Sequence, residues 1–223
     1  MSRVELDNVA KSYREGDRVR AVLSNCSGAI EPGAFVALTG ASGTGKSTLL
    51  GLVAGMDRPD SGRVVVADTD LAALDETART RFRRRHLGLV IQQFNLIDTL
   101  SVRENLLLRG ALDGAAQRDA AEAERLLEAV GLADRGDARP DRLSGGEQQR
   151  VAIAAALIHQ PALILADEPT GNLDRRNAET VLSLFVDLVR AHGATLLVAT
   201  HDPAVAERAD YRWELCDGAL QVT

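Results

Sequence analysis

Continuous apolar runs rather than alternating ones punctuate this chain: Phe35-Val36-Ala37-Leu38, Leu87-Gly88-Leu89-Val90-Ile91, Ala162-Leu163-Ile164-Leu165-Ala166 and Ala194 to Ala199. Such runs, bounded by turn signals, read as strands buried on both faces, as in a parallel sheet whose crossovers lay helices on either side. Stretches at helical spacing separate them: Leu49 to Ala54, Val151 to Ile158, and Asn177 to His192, where Val181, Leu184, Phe185, Leu188 and Val189 form one face. Pro161 ends the second helix and Gly193 the third. The pattern predicts an α/β fold, and such sheets take ligands at the carboxyl ends of their strands.

Outside this core the pattern changes. Polar and apolar residues alternate from Arg3 to Val9, and less cleanly from Val19 to Ile30, which predicts an antiparallel pair. Tyr13 falls in the polar connection Lys11-Ser12-Tyr13-Arg14, where its ring either lies over the small sheet or stacks on a purine. Arg58-Pro59-Asp60-Ser61-Gly62 is a turn, followed by a short strand from Arg63 to Val66. Asn95 to about Arg142 reads as a helical insertion: Ser101 and Glu104 have capping-box spacing, and the Ala-rich stretch Ala115 to Val130 stops at Gly131. Asp217-Gly218 in Arg212 to Val222 signals a hairpin.

Composition narrows the function. With 223 residues, 45% hydrophobic and 26% charged, the chain has ordinary globular composition. Its net charge of -6 argues against a general nucleic-acid binder, which needs excess Lys and Arg to displace counterions. The basic run Arg79, Arg81, Arg83, Arg84, Arg85 could touch phosphates or headgroups, but reads first as a solvated helix face. Cys26 and Cys216 are far apart and lack metal-ligand spacing, so reduced thiols are expected. Met1 to Glu5 lacks the apolar core of a signal peptide, and no run approaches the roughly 20 apolar residues that span a bilayer. Membrane work is therefore expected to pass through a partner.

The chemistry sits where the apolar runs end. Gly40-Ala41-Ser42-Gly43-Thr44-Gly45-Lys46-Ser47-Thr48 follows the first run and fits the phosphate-binding P-loop, between a buried strand and an apolar helix. Its glycines let backbone N–H groups turn inward around phosphate oxygens, Lys46 supplies a charge to the outer phosphates and Ser47 a hydroxyl to Mg2+. Asp167 and Glu168 close the third run; they either meet a cationic side chain in a structural ion pair or, beside a P-loop, place Asp167 on Mg2+ and Glu168 facing the attacking water. The fourth run leads to Thr200-His201-Asp202, and the second to Gln92-Gln93. Elsewhere, Ser144 and Glu147 have capping-box spacing ahead of Val151, yet two consecutive glycines in a first turn cost about 1 kcal/mol each relative to Ala. Gly145 and Gly146 therefore suggest bare backbone approached closely by an anion.

With Leu143-Ser144-Gly145-Gly146-Glu147-Gln148 beside the P-loop, the chain resembles the nucleotide-binding subunit of ABC transporters over nearly all its length. The resemblance implies a P-loop NTPase, RecA-like parallel-sheet core at about 35–94 and 151–223, an antiparallel β subdomain at about 1–34 and a helical, signature-bearing subdomain at about 95–150. It implies that Tyr13 stacks on adenine, that residues 40–48 are Walker A and Leu163 to Asp167 Walker B, and that Gln92 is the Q-loop residue, serving both catalysis and Mg2+. It makes residues 143–148 the signature, Glu168 the catalytic glutamate, Leu173-Asp174 the D-loop and His201 the switch histidine. ATP and Mg2+ are the implied cofactors; the implied partners are a second copy in the ATP-bound state, facing head to tail, and an integral membrane permease that holds the chain at the inner face of the cell membrane. Residues 90–96 and 166–174 are similar to the lipoprotein-release, macrolide-export and FtsE branch, so that an FtsE-like signalling role is the alternative to transport. Ala155 departs from the pattern, standing where relatives usually have Arg.

Overall fold

The structure, a computed structural model, describes residues 4–111 and 116–222. Its elements run β1 (Val4–Glu15), β2 (Arg18–Ile30), β3 (Phe35–Thr39), α1 (Lys46–Val53), β4 (Ser61–Val66), β5 (Thr69–Asp70), α2 (Glu76–His86), β6 (Leu87–Ile91), α3 (Val102–Ala111), α4 (Ala116–Ala129), α5 (Gly145–Leu157), β7 (Leu163–Asp167), α6 (Arg175–Ala191), β8 (Thr195–Ala199), α7 (Pro203–Ala206), β9 (Tyr211–Cys216) and β10 (Ala219–Val222). Residues 1–3, where the N-terminal reading began, and Ala115, where the Ala-rich helix was expected to begin, lie outside the described residues.

The apolar runs form a six-stranded sheet in the order β10-β9-β3-β8-β7-β6, parallel except for the terminal β10. Its two faces feed two cores, because successive residues of a strand point to opposite sides. Phe35, Ile164, Leu196 and Val198 pack with helices α3 to α6, whereas Val36, Leu163, Leu165 and Leu197 pack with α1 and the antiparallel strands. That double burial explains why these strands lack alternation. Within the helical insertion Leu126, Leu127 and Val130 are buried at their helical spacing, and Ser101 and Glu104 form the expected reciprocal cap.

The second sheet, β2-β1-β4-β5, is antiparallel. Strand β1 runs on through Tyr13 to Glu15, so Tyr13 belongs to a strand rather than a polar connection. Register shifts between Leu6 and Val9, Val9 and Lys11, and Lys11 and Ser12 break the two-residue period there, since each bulge inserts a residue and turns later side chains over. Helix α2 departs from a uniformly solvated face: Arg79 is buried and pairs with Glu76 at 2.7 Å, while Arg83 donates to the Gly55 carbonyl at 2.7 Å. Helix α6 starts at Arg175, earlier than its apolar face suggested, because the Asp174 side chain caps it by accepting from Asn177 N at 3.1 Å.

Candidate functional site

Parallel registry brings the carboxyl ends of the strands level, with Ile91 opposite Asp167, Asp167 opposite Ala199, and Ala199 opposite Leu38. A cleft of about 740 Å3 opens above this edge, walled by Tyr13 and Val22 on one side, Ser42, Gly43 and Gly45 to Thr48 below, and Gln92, Asp167 and Glu168 on the other.

The floor is the loop into α1. Gly40 adopts φ +146°, where an added Cβ would stand 2.6 Å from the Leu215 carbonyl oxygen; Gly45 has φ +107°, and its Cβ would press to 2.8 Å on Val22. Only glycine fits this path of the chain. Gly45 is also the N-cap of α1 and carries no side chain to close it, whereas α2, α5 and α6 are capped by Asp75, Ser144 and Asp174. The first-turn N–H groups of α1 thus keep the positive helix end open to the cleft, a ready anion site. Lys46, largely buried, lays its ammonium across the loop and donates to the carbonyls of Gly40 at 2.8 Å and Ala41 at 3.0 Å.

Across the cleft, Glu168 follows β7 in a left-handed conformation at φ +47°, anchored by its N–H on the Ala199 carbonyl at 2.9 Å. Its Oε1 shares a 2.7 Å hydrogen bond with His201 Nδ1, and Thr200 Oγ1 reaches Oε2 at 3.4 Å. Gln92 is turned onto Asn172: its Nε2 donates to Asn172 Oδ1 at 3.1 Å, while Asn172 Nδ2 donates to the Gln92 carbonyl at 2.6 Å. Ser47 and Asp167 line the cleft together, a hydroxyl and a carboxylate of the hard oxygen type that suits Mg2+ with phosphate and water completing the shell.

The structure therefore gathers Tyr13, Ser42, Gly43, Gly45 to Thr48, Gln92, Asp167 and Glu168 around one cleft, with His201 bonded to the last, while Gly40, Ala41 and Thr44 shape the loop without lining it. It does not bring in Ser144 to Glu147. Those residues form a complete capping box, Glu147 Oε2 accepting from Ser144 N at 2.8 Å and Oγ at 2.7 Å, beside Phe94 and Leu173. A Cβ on Gly145 would meet Leu173 at 3.6 Å and Phe94 at 3.7 Å, and one on Gly146 would meet Asn177 at 3.7 Å, all ordinary contacts. Packing within the subunit thus demands neither glycine. Sequence reasoning missed Arg20 and Val22, which reach the cleft from β2; their two-residue spacing on one strand face is the signal that could have found them. It also missed Asn172, a partner visible only once the fold joins residues 80 apart.

The family model for ABC transporters matches residues 23–171. The chain belongs to the ABC transporter family. An uncharacterized ABC transporter ATP-binding protein of Mycobacterium tuberculosis is 50% identical over 218 residues, covering 97% of this chain and 88% of that protein. The lipoprotein-releasing system ATP-binding protein LolD of Granulibacter bethesdensis is 46% identical over 218 residues, with 97% and 95% covered. The macrolide export ATP-binding/permease protein MacB of Rhodopirellula baltica is 44% identical over 97% of this chain, which spans 32% of that longer protein. The dimeric post-hydrolysis structure of the ATP-binding cassette MJ0796, bound to ADP and Pi, superposes with a TM-score of 0.86 at 36% identity, over 98% of this chain and 96% of that one. This ABC cassette is of the LolD and MacB type. Among the described residues no helix is long and apolar enough to cross a membrane.

Proposed function

We propose that the chain binds ATP with Mg2+ and hydrolyses it, as the energy-supplying subunit of a membrane transporter. The observation that carries this reading is the convergence at one sheet edge of an uncapped, glycine-bent helix terminus with Lys46 on one side and Asp167 and the Glu168–His201 pair on the other. Residues 40–48 cradle the phosphates, Lys46 leaves its two loop carbonyls for the outer phosphate oxygens, and the Tyr13 ring takes the adenine. Ser47, Asp167 and Gln92 hold the Mg2+, which when bound neutralises charge developing on the phosphates. Gln92 must leave Asn172 to do so. Glu168 accepts a proton from the attacking water, and His201 orients Glu168.

The signature serves a second copy. Gly145 and Gly146 are unneeded by their own subunit's packing, so the ligand that requires their bare backbone is a nucleotide presented by another chain. Two subunits face head to tail with two ATP between them, and MJ0796, similar throughout its length, is a dimer with ADP and Pi. The motion of closing and opening passes to a permease docked on the cytoplasmic side, a partner consistent with the ATP-binding/permease organisation named for MacB. Export or lipoprotein and peptide release is the class of work proposed. The test is ATP hydrolysis by the purified chain together with Glu168→Gln: ATP-dependent dimers in light scattering, with turnover nearly lost, are expected, and a variant hydrolysing at the wild-type rate overturns the assignment.

A further inference from the structure

Tyr13 stands on the cleft wall, yet its ring is held from behind by charges outside the loop, signature and switch motifs. Lys11, two residues earlier on β1, has a side chain only 10% exposed, and its Nζ lies 2.9 Å from each Asp57 carboxylate oxygen. The same ammonium donates to the Arg58 carbonyl at 2.8 Å and lies 5.1 Å from the centroid of the Tyr13 ring. The Tyr13 hydroxyl in turn donates to Asp57 Oδ2 at 2.9 Å. Ser12 closes the connection, its N–H and hydroxyl both donating to Asp60 Oδ2, at 2.7 and 2.6 Å. Asp57 and Asp60 belong to the turn between α1 and β4, so the strand end carrying Tyr13 is tied to the turn after the phosphate-loop helix.

A stacking platform works only if its plane is set before the base arrives, because an aromatic side chain left free loses rotamer entropy on binding. Here the hydroxyl is anchored and a cation lies against the ring, while 39% of Tyr13 remains exposed. A cation on an aromatic draws π density toward itself, which favours stacking of the remaining surface on an electron-rich purine. We propose that Lys11 and Asp57 are positioning residues for the base side of the nucleotide site: the pair sets the plane of Tyr13 and registers it against the phosphate-binding loop. The inference rests on the reading of the cleft as an ATP site, and it separates base recognition from phosphate recognition.

The experiment uses the full chain and measures ATP KM and kcat, with calorimetric binding of ATP and of inorganic tripolyphosphate, which has no base. Lys11→Met and Asp57→Asn are each expected to raise KM and Kd for ATP about three- to tenfold, with kcat within about twofold and tripolyphosphate affinity unchanged. Tyr13→Ala should weaken ATP about five- to hundredfold, and adding Lys11→Met to it should cost nothing more. Lys11→Arg should recover most of the loss. Equal weakening of both ligands, or the same Lys11→Met effect with and without the Tyr13 ring, overturns the proposal and leaves the pair a structural tie. Should Lys11→Met not fold, the near-isosteric Asp57→Asn decides alone. A wild-type chain that binds no ATP overturns the ATP reading itself; one that binds ATP while every variant matches it overturns the positioning role only.

Discussion

The carboxylate of Glu168 and the imidazole of His201 meet at 2.7 Å although they lie 33 residues apart and at the ends of different strands. The contact depends on two backbone features, the left-handed turn of Glu168 and its N–H bond to Ala199 at the end of the neighbouring strand. A left-handed non-glycine residue costs of order 1–3 kcal/mol and persists only where its surroundings hold it. Here they aim the carboxylate at the histidine. Glu168→Gln is therefore expected to keep the geometry and ATP affinity while lowering turnover roughly 10²- to 10⁴-fold, the worth of a general base. His201→Ala should spare ATP affinity and lower turnover less, since the proposed base survives without its partner; rapid-quench assays beside calorimetry check both.

Lys46 lies across the loop on two carbonyls at 2.8 and 3.0 Å, which its ammonium exchanges for phosphate oxygens in the proposed site. Lys46→Ala should weaken ATP by about 1.5–3 kcal/mol, roughly ten- to hundredfold in Kd. Unchanged affinity by calorimetry would sink the phosphate-loop assignment.

If the permease of the proposed function docks on the segment after Gln92, which leads from the cleft into the helical insertion, its exposed apolar residues make the contact. Of its apolar residues Phe94, Leu96 and Leu100 are half-buried, with Leu96 packed on the helical core, whereas Ile97 is exposed. Ile97→Glu is thus the informative change, since it adds charge to the exposed residue and leaves the packed Leu96 in place. Basal hydrolysis by the isolated chain should persist while co-purification with a membrane partner is lost. Normal assembly of this variant would exclude docking here.

Gln149 on α5 is fully buried, and among the described residues neither amide atom has a hydrogen-bond partner. An unpaired buried polar group costs about 1–3 kcal/mol, so Gln149→Met, similar in shape and apolar, should raise stability by about 1–2 kcal/mol. Urea denaturation monitored by circular dichroism measures this, and a destabilised variant would show that the amide is satisfied in solution.

The Lys11–Asp57 pair sets a pH window. Burial opposes the charged form of each, but the mutual hydrogen bond and attraction outweigh it, holding Asp57 below its usual value and Lys11 above. A depressed carboxylate contributes stability above its unfolded value, about 3.9, and loses it as pH falls through its lower folded value. A raised ammonium contributes below its unfolded value, about 10.4, and loses it as pH rises through its higher folded value. The stability difference between wild type and Lys11→Met should accordingly be flat from about pH 5 to 9 and shrink below pH 4. A difference that grew in acid would contradict the pairing.

Much of this molecule was legible in the chain because its signals are local. Continuous apolar runs announce strands covered on both faces, glycines at 40 and 45 announce backbone that no side chain permits, and Ser144 with Glu147 announces a helix start. These depend on residues a few positions apart. Where the period was broken the reading failed: bulges along β1 hid the strand under Tyr13, and Glu76 three residues before Arg79 made burial of a charge tolerable on a helix that reads as solvated.

From the sequence alone came the fold class, the family resemblance and the identity of the chemical groups at each strand end. Tertiary structure alone decided which of them bond to one another. It joined Glu168 to His201, turned Gln92 onto Asn172, locked Tyr13 behind Lys11 and Asp57, and kept Gly145 and Gly146 apart from the phosphate loop of their own chain. The physical reason is that each of these contacts is set by strand order and by the packing of elements distant in sequence, and a local pattern of polar and apolar residues carries no information on that distance.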